Sequence, residues 1–342
     1  MGKTSTFADA LLTWYDREAR VLPWRTPPGQ GTTDPYHVLV SEVMLQQTTV
    51  AVVTTRFQAF LNQFPDVFAL AMADEADVLA AWAGLGYYRR ARSLHACAKA
   101  VVAEHDGVFP QDEATLKSLP GIGDYTAAAI AAIAFDQHAV VVDGNIERVM
   151  ARVAAIDEPL PKGKKAIKEA VAGVTPAAHC GDFAQAMMDL GARICRPKSA
   201  DCLLCPVRSF CISQKSGDPT VLPVKAPKKE KKEVRGTIYV IINDDGDVLC
   251  EDRPTDGLFA GMLGLPGGGW DGRSVPTVAG EPELSGTVTH ILTHRRLEID
   301  VYKTDHPQSD VEGRWLPAAD AAAAMPTLFR KALERGLSSA SS

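Results

Sequence analysis

The sequence predicts two domains, a helical one followed by a smaller α+β one, and three observations carry that expectation. Apolar residues recur at helical spacing through residues 1–215, where strand-like alternation is almost absent. A basic, proline-containing stretch then breaks the pattern. Beyond it, β-branched runs are separated by glycine-rich turns. The 342 residues, 46% hydrophobic and 23% charged, suit two domains with sizeable cores.

Each element follows from a local signal. Helical spacing is clear at 7–14, 38–45, 52–64 and 78–82, and the alanine-rich AAAIAAIAF at 127–135 suits close helix packing. KAPKKEKKEVR at 225–235 carries Pro227 and six basic side chains, so 216–235 is expected to be a solvated linker. GTIYVIIN at 236–243 reads as a strand, and DDGD at 244–247 as a hairpin turn into the next one. Further strands are expected at 287–294 and 297–303. A final helix is expected to be capped by Gly336, ending a domain at 236–336 before a tail at 337–342.

Charge excludes an easy answer. The net charge is −6, with 21 basic against 24 acidic side chains in 1–224, 6 against 2 in 225–235, and 9 against 16 in 236–342. A wholly basic domain, the usual footprint of nucleic acid binding, is missing, so any such binding must rest on local sites. No apolar run has the ~18–20 residues of a membrane helix. Asp9, Asp16 and Glu18 interrupt the N-terminal apolar residues, unlike a signal peptide, so a cytoplasmic chain is expected.

Seven cysteines without a secretion signal argue against a disulfide framework. Four of them, Cys195, Cys202, Cys205 and Cys211, form C-x6-C-x2-C-x5-C in a polar segment. Four thiolates can close around a zinc ion or hold a [4Fe–4S] cluster, and spacing leaves both open.

LPGIGDYTAAAI at 119–130 joins two helices. Leu119 and Pro120 end the first, Gly121 and Gly123 permit a tight turn, and Asp124 is expected to cap the second. Free backbone N–H groups there would bind a DNA phosphate without side-chain charge, although a plain interhelical loop has the same spacing. In GLGYYRRARSLH at 84–95, Tyr87 and Tyr88 offer stacking surfaces, while Arg89, Arg90 and Arg92 offer phosphate contacts or merely a solvated helix start.

Two carboxyls complete the pattern. Glu42 shares a mostly apolar helical stripe with Val38, Leu39, Leu45 and Gln46, so desolvation should raise its pKa and suit it to general acid work, unless it snorkels or pairs. Asp143 ends the run AVVV before a helix, where an N-cap role favours its charged form. One acid kept protonated beside one kept ionised is how roles divide in glycosyl chemistry.

Taken together, these segments resemble the helix–hairpin–helix DNA glycosylases that carry an iron–sulfur cluster, and within them the MutY-type adenine glycosylases. The likeness is dense over 23–211 and sparse after Gly236. It implies a helix–hairpin–helix near 112–134, a [4Fe–4S] cluster in the loop 195–211, and a Nudix-like domain that reads the lesion. It further implies a monofunctional enzyme of base excision repair, a monomer acting on double-stranded DNA, that releases adenine mispaired with 8-oxoguanine or guanine and leaves an abasic site. In the related endonuclease III type a lysine nucleophile stands where this chain has Tyr125, so no amine is available to form an imine.

The resemblance assigns catalysis to Glu42 and Asp143, with Tyr125 and Asn145 positioning them. It assigns Gln47 and Tyr87 as wedges into the duplex, Thr48 and Leu85 as contacts to the opposite base, and Arg25 and Gln185 to the adenine pocket. Gly121 and Gly123 would meet the DNA backbone, and Thr293 and His294 the lesion, where HILTH replaces the more usual HTFSH. No glutamate-rich helix follows LPGGGWDGR, so nucleotide hydrolysis is not expected of this domain.

Overall fold

The computed structural model describes residues 5–226, 231–278, 280–292, 294–305 and 312–338. The chain forms two compact units, Met1–Ala226 and Pro227–Ser342. No helix among the described residues is long and apolar enough to cross a membrane.

The first unit is helical: α1 (Phe7–Glu18), α2 (Pro35–Leu45), α3 (Val50–Gln63), α4 (Val67–Met72), α5 (Glu75–Ala81), α6 (Arg89–His105), α7 (Glu113–Ser118), α8 (Asp124–Phe135), α9 (Gly144–Val153), α10 (Lys164–Ala172), α11 (Cys180–Arg193) and α12 (Ile212–Ser216). Short polar side chains start many of these helices by accepting orphan N–H groups. Thr6 and Asp9 form a reciprocal box at α1, Asp34 caps α2, and Asp112 caps α7. The alanine-rich α8 is buried on nearly every side, against α2, α7 and α11. Its small side chains let those helices approach closely, which is what brings their functional residues together.

The hairpin at 119–123 departs from expectation at its cap. Gly121 takes φ +77°, and a Cβ there would sit 2.6 Å from Ser93 Cβ, so only glycine fits. Gly123, not Asp124, occupies the N-cap position of α8, without a side-chain cap. Asp124 is the first helical residue and pairs instead with Lys117 across the turn. A cation within reach outcompetes the local N–H groups for the carboxylate.

The second unit contains β1 (Lys232–Ile241), β2 (Asp247–Asp252), β3 (Leu263–Gly264), β4 (Gly267–Gly268), β5 (Glu283–Ile291), β6 (Arg295–Thr304), β7 (Arg314–Pro317), α13 (Ala318–Ala324) and α14 (Thr327–Ser338). One sheet has the order β4-β1-β6-β5, with β1 and β6 parallel from Lys232↔Arg295 to Ile241↔Thr304. The other has the order β3-β2-β7. Ile238, Val240, Leu297, Ile299 and Val301 meet Leu328, Phe329 and Leu333 of α14 in the core. None of the described residues in 269–282 is helical.

Three further expectations are corrected. The segment 216–235 is not wholly linker: Pro219–Val221 forms a 3-10 turn, Leu160 pairs with Lys225, and β1 begins at Lys232. A ladder satisfies backbone groups whatever the charge of the outward side chains, so composition hid the strand. The turn at 243–247 exists, with Asn243 Oδ1 accepting from the Asp245 and Asp247 N–H groups, but only the bridge Ile242↔Val248 joins its arms. β1 and β2 then leave for different sheets. Gly336 lies inside α14, where a Cβ would come 2.6 Å from Val240 Cγ2, so it permits close packing rather than ending the helix.

Candidate active site

Residues from five parts of the first unit line one cavity of about 340 Å³. Glu42 comes from α2, Tyr125 from α8, Asp143 and Asn145 from the start of α9, Gln185 from α11, and Arg25 from the segment before α2. The structure thus brings together all four residues expected to act in catalysis, with both expected for the adenine pocket. Thr48 lines the same cavity.

Glu42 is 6% exposed, and its Oε2 accepts a 2.6 Å hydrogen bond from the Tyr125 hydroxyl. Burial pushes its pKa up from 4.5 to about 7. The Tyr125 hydrogen bond and the Arg25 charge oppose that rise, while the Asp143 charge adds to it. Tyr125 is itself held well above the usual phenol range by burial and by the Glu42 charge, so it remains a donor.

Asp143 sits among donors instead. Its Oδ1 accepts from the N–H groups of Asn145 at 2.9 Å and Ile146 at 2.7 Å, and its Oδ2 from Asn145 Nδ2 at 2.8 Å. Asn145 Oδ1 accepts from Arg148 Nη2 at 2.8 Å, and Arg148 also donates to the Gly191 and Cys195 carbonyls. Gly191 makes this possible, because a Cβ there would lie 2.7 Å from Asn145 Cβ. A line of hydrogen bonds therefore joins Asp143 to the cysteine loop.

The four expected cysteines line a second, smaller cavity with Val149, Leu190, Val207 and Arg152. Arg152 is 1% exposed and donates to Cys195 Sγ at 3.2 Å. Burial pushes the Cys202 and Cys211 thiols up, and that of Cys205 to about 12. Four thiols around one small cavity, with a guanidinium at their edge, fit a thiolate-held group. Among the described residues no three His, Cys, Asp or Glu side chains are placed to hold a single metal ion.

The remaining expected residues divide. Gln47 and Tyr87 lie outside the cavity, exposed, and both take a left-handed backbone, φ 58° and 50°. Gly121 and Gly123 are exposed at the hairpin. Leu85 is 5% exposed and belongs to the core that includes Trp82. Arg90 is corrected. Rather than facing phosphate, it donates to the carbonyls of Val43, Met44, Leu85 and Gly86 and to Thr48 Oγ1, with its guanidinium near the rings of Trp82 and Tyr87. Arg92 pairs with Glu75, and Arg89 stays exposed. His294 is exposed beside an open depression with Gly257, Leu258 and Leu292, while Thr293 lies outside the described residues.

Sequence reasoning missed Asp189, Arg20 and Arg148. Asp189 lies one helical turn after Gln185 on α11, amid apolar neighbours, and that lone acid on a buried stripe was the available signal.

Residues 40–176 match the model of the HhH-GPD superfamily of base excision DNA repair proteins, and 237–335 match a NUDIX domain. An adenine DNA glycosylase of Mycolicibacterium smegmatis is 38% identical over 289 residues, covering 77% of this chain and 97% of its own. The chain belongs to the adenine DNA glycosylases. The Homo sapiens member is 33% identical over 368 residues, covering 88% of this chain and 67% of its own. Among solved structures, a thermostable thymine-DNA glycosylase aligns at a TM-score of 0.56 and 29% identity, over 62% of this chain and 96% of its own. An endonuclease III bound to DNA shares the fold at a TM-score of 0.51 and 20% identity, over 61% of this chain and 94% of its own. As an adenine DNA glycosylase, the enzyme has its candidate active site in the helical unit.

Proposed function

We propose that this glycosylase hydrolyses the N-glycosidic bond of adenine opposite 8-oxoguanine or guanine in double-stranded DNA, as a monomer. The observation that carries the reading is one cavity holding a buried Glu42, whose pKa burial raises, and a donor-ringed Asp143. Adenine must leave the stack to reach it, at a cost of a few kcal/mol that is smaller for a mispair.

Glu42 protonates N7 of the extruded adenine, which makes the base a competent leaving group. Tyr125 donates to Oε2, which leaves Oε1 to carry the proton. As the bond breaks, C1′ gains oxocarbenium character, and the Asp143 carboxylate stabilises it. Asn145 holds that carboxylate in place. Water then adds at C1′ and an abasic site remains. Arg25 and Gln185 orient the base, while Gln47 and Tyr87, at their exposed turns, enter the duplex.

Cys195, Cys202, Cys205 and Cys211 would hold a [4Fe–4S] cluster. When bound, such a cluster would tie the loop to the helices through four thiolates. Gly121 and Gly123 present backbone N–H groups to phosphate. The segment 290–294, with Thr293 and His294, reads 8-oxoguanine. The DNA substrate implies a cytosolic location at the nucleoid.

Single-turnover incubation with duplexes carrying A opposite 8-oxoguanine, G or T tests the reading. Alkali-dependent strand breaks at the adenine are expected opposite 8-oxoguanine and G. Absence of base release from every duplex sinks it, and breaks without alkali at pyrimidine lesions favour a lyase instead.

A further inference from the structure

Asp189 on α11 is a fully buried carboxylate. Such a group is costly inside a protein unless its partners are strong. Its Oδ2 accepts from the Arg20 backbone N–H at 3.0 Å. Its Oδ1 accepts from Arg20 Nε at 2.7 Å and from Arg25 Nη1 at 2.9 Å. Both arginines line the cavity that contains Glu42. The Arg25 side chain is only 7% exposed, so water screens it little and Asp189 is its bound counter-charge.

We infer that Asp189 is a positioning residue for the acid: by gripping Arg25 it stops that guanidinium from pairing with Glu42, and so preserves the proton that adenine receives. The inference rests on the reading of Glu42 as proton donor. Tyr125 from α8, Asp143 at the start of α9 and Arg25 from the segment before α2 act on Glu42, and Arg20 lines the same cavity. Burial and the Asp143 charge hold the proton on, while the Tyr125 hydrogen bond and the Arg25 charge draw it off. In the native arrangement Arg25 is shared with Asp189, and its pull on Glu42 is the weakest of these influences. Without that counter-charge the guanidinium is free to turn toward Glu42, which lines the same cavity and already feels its charge. An opposite charge within hydrogen-bond reach lowers a carboxyl pKa by about 1–3 units.

The test is the pH dependence, from 5 to 9, of single-turnover adenine release from an A:8-oxoguanine duplex. Wild type is expected to lose activity as pH rises through the midpoint of its acid. Asp189→Asn should move that midpoint down by about one pH unit or more, with a rate about tenfold lower at pH 7.5 that recovers toward acid pH. Arg25→Gln leaves Asp189 to Arg20; it should be slower throughout, but with a midpoint at or above that of wild type. The double variant Asp189→Asn, Arg25→Gln should regain the wild-type midpoint, since the unbalanced cation is gone.

A native circular dichroism spectrum with an unmoved midpoint in Asp189→Asn overturns the inference. Should that variant not fold, a lowered midpoint in Arg25→Gln does the same. A wild-type profile with no acid-dependent limb would instead remove the Glu42 reading itself, which keeps the two failures apart.

Discussion

Both units bury arginine–carboxylate clusters, and the two clusters face different things. In the first, Asp189 holds Arg20 and Arg25 at the wall of a cavity that also contains Glu42 and Asp143. In the second, Arg253 and Asp271, each 2% exposed, pair with each other and with Glu251 and Arg273. The Arg253 guanidinium there lies near the rings of Trp270 and Phe329. A buried ion pair is no great source of stability against an apolar replacement. What it faces therefore says more than its presence. Beside a cavity it sets the charge around a reacting group; against aromatic rings it fixes packing, in a NUDIX-type unit without a helix among the described residues of 269–282.

The comparison breaks most visibly at the acid. Glu42→Gln is expected to reduce adenine release by about 10²–10⁴-fold while duplex affinity stays near wild type; a rate within a few-fold of wild type refutes its role. Asp143→Asn should cost about 10²–10³-fold in the same assay, because the charge facing C1′ is lost while the N–H donors remain.

Away from the cavity, Arg253→Ala should leave single-turnover chemistry intact and destabilise the second unit by about 3–5 kcal/mol in urea unfolding, since Glu251 and Asp271 are left to share Arg273 alone. An equal loss of chemistry and stability would erase the distinction between the clusters. Arg90→Lys removes the fork that joins the end of α2 to the turn at Leu85 and Gly86. Extrusion, read by 2-aminopurine fluorescence at the target position, should fall about tenfold, with the pH midpoint of the residual activity unmoved.

Stability should also report the buried acid. The folded-state pKa of Glu42 is raised, so its contribution is fully present below about 4.5 and is lost as pH rises to about 7. Glu42→Gln should thus gain on wild type by about 3 kcal/mol above pH 7, and by much less near pH 4.5. Equal melting differences at both pH values would contradict the burial argument.

Much of this was legible in the sequence because it rests on local rules. Glu42 sat on an apolar stripe, Asp143 stood before a helix, and four cysteines crowded one loop. What escaped depends on partners distant in the chain. Arg90 was readable as a charge but not as a fork reaching carbonyls more than forty residues away. Asp189 meets Arg20 across 169 positions. β1 takes β6 as its parallel neighbour, a choice that no turn signal at 244–247 encodes.

The most direct measurement is a carbon-13 NMR titration of the side-chain carboxyls in the DNA-free protein, with Glu42→Gln identifying the resonance. A midpoint near 7 for Glu42 is the expected result. A midpoint at the ordinary 4.5 would mean that the acid is ionised at neutral pH and has no proton to give.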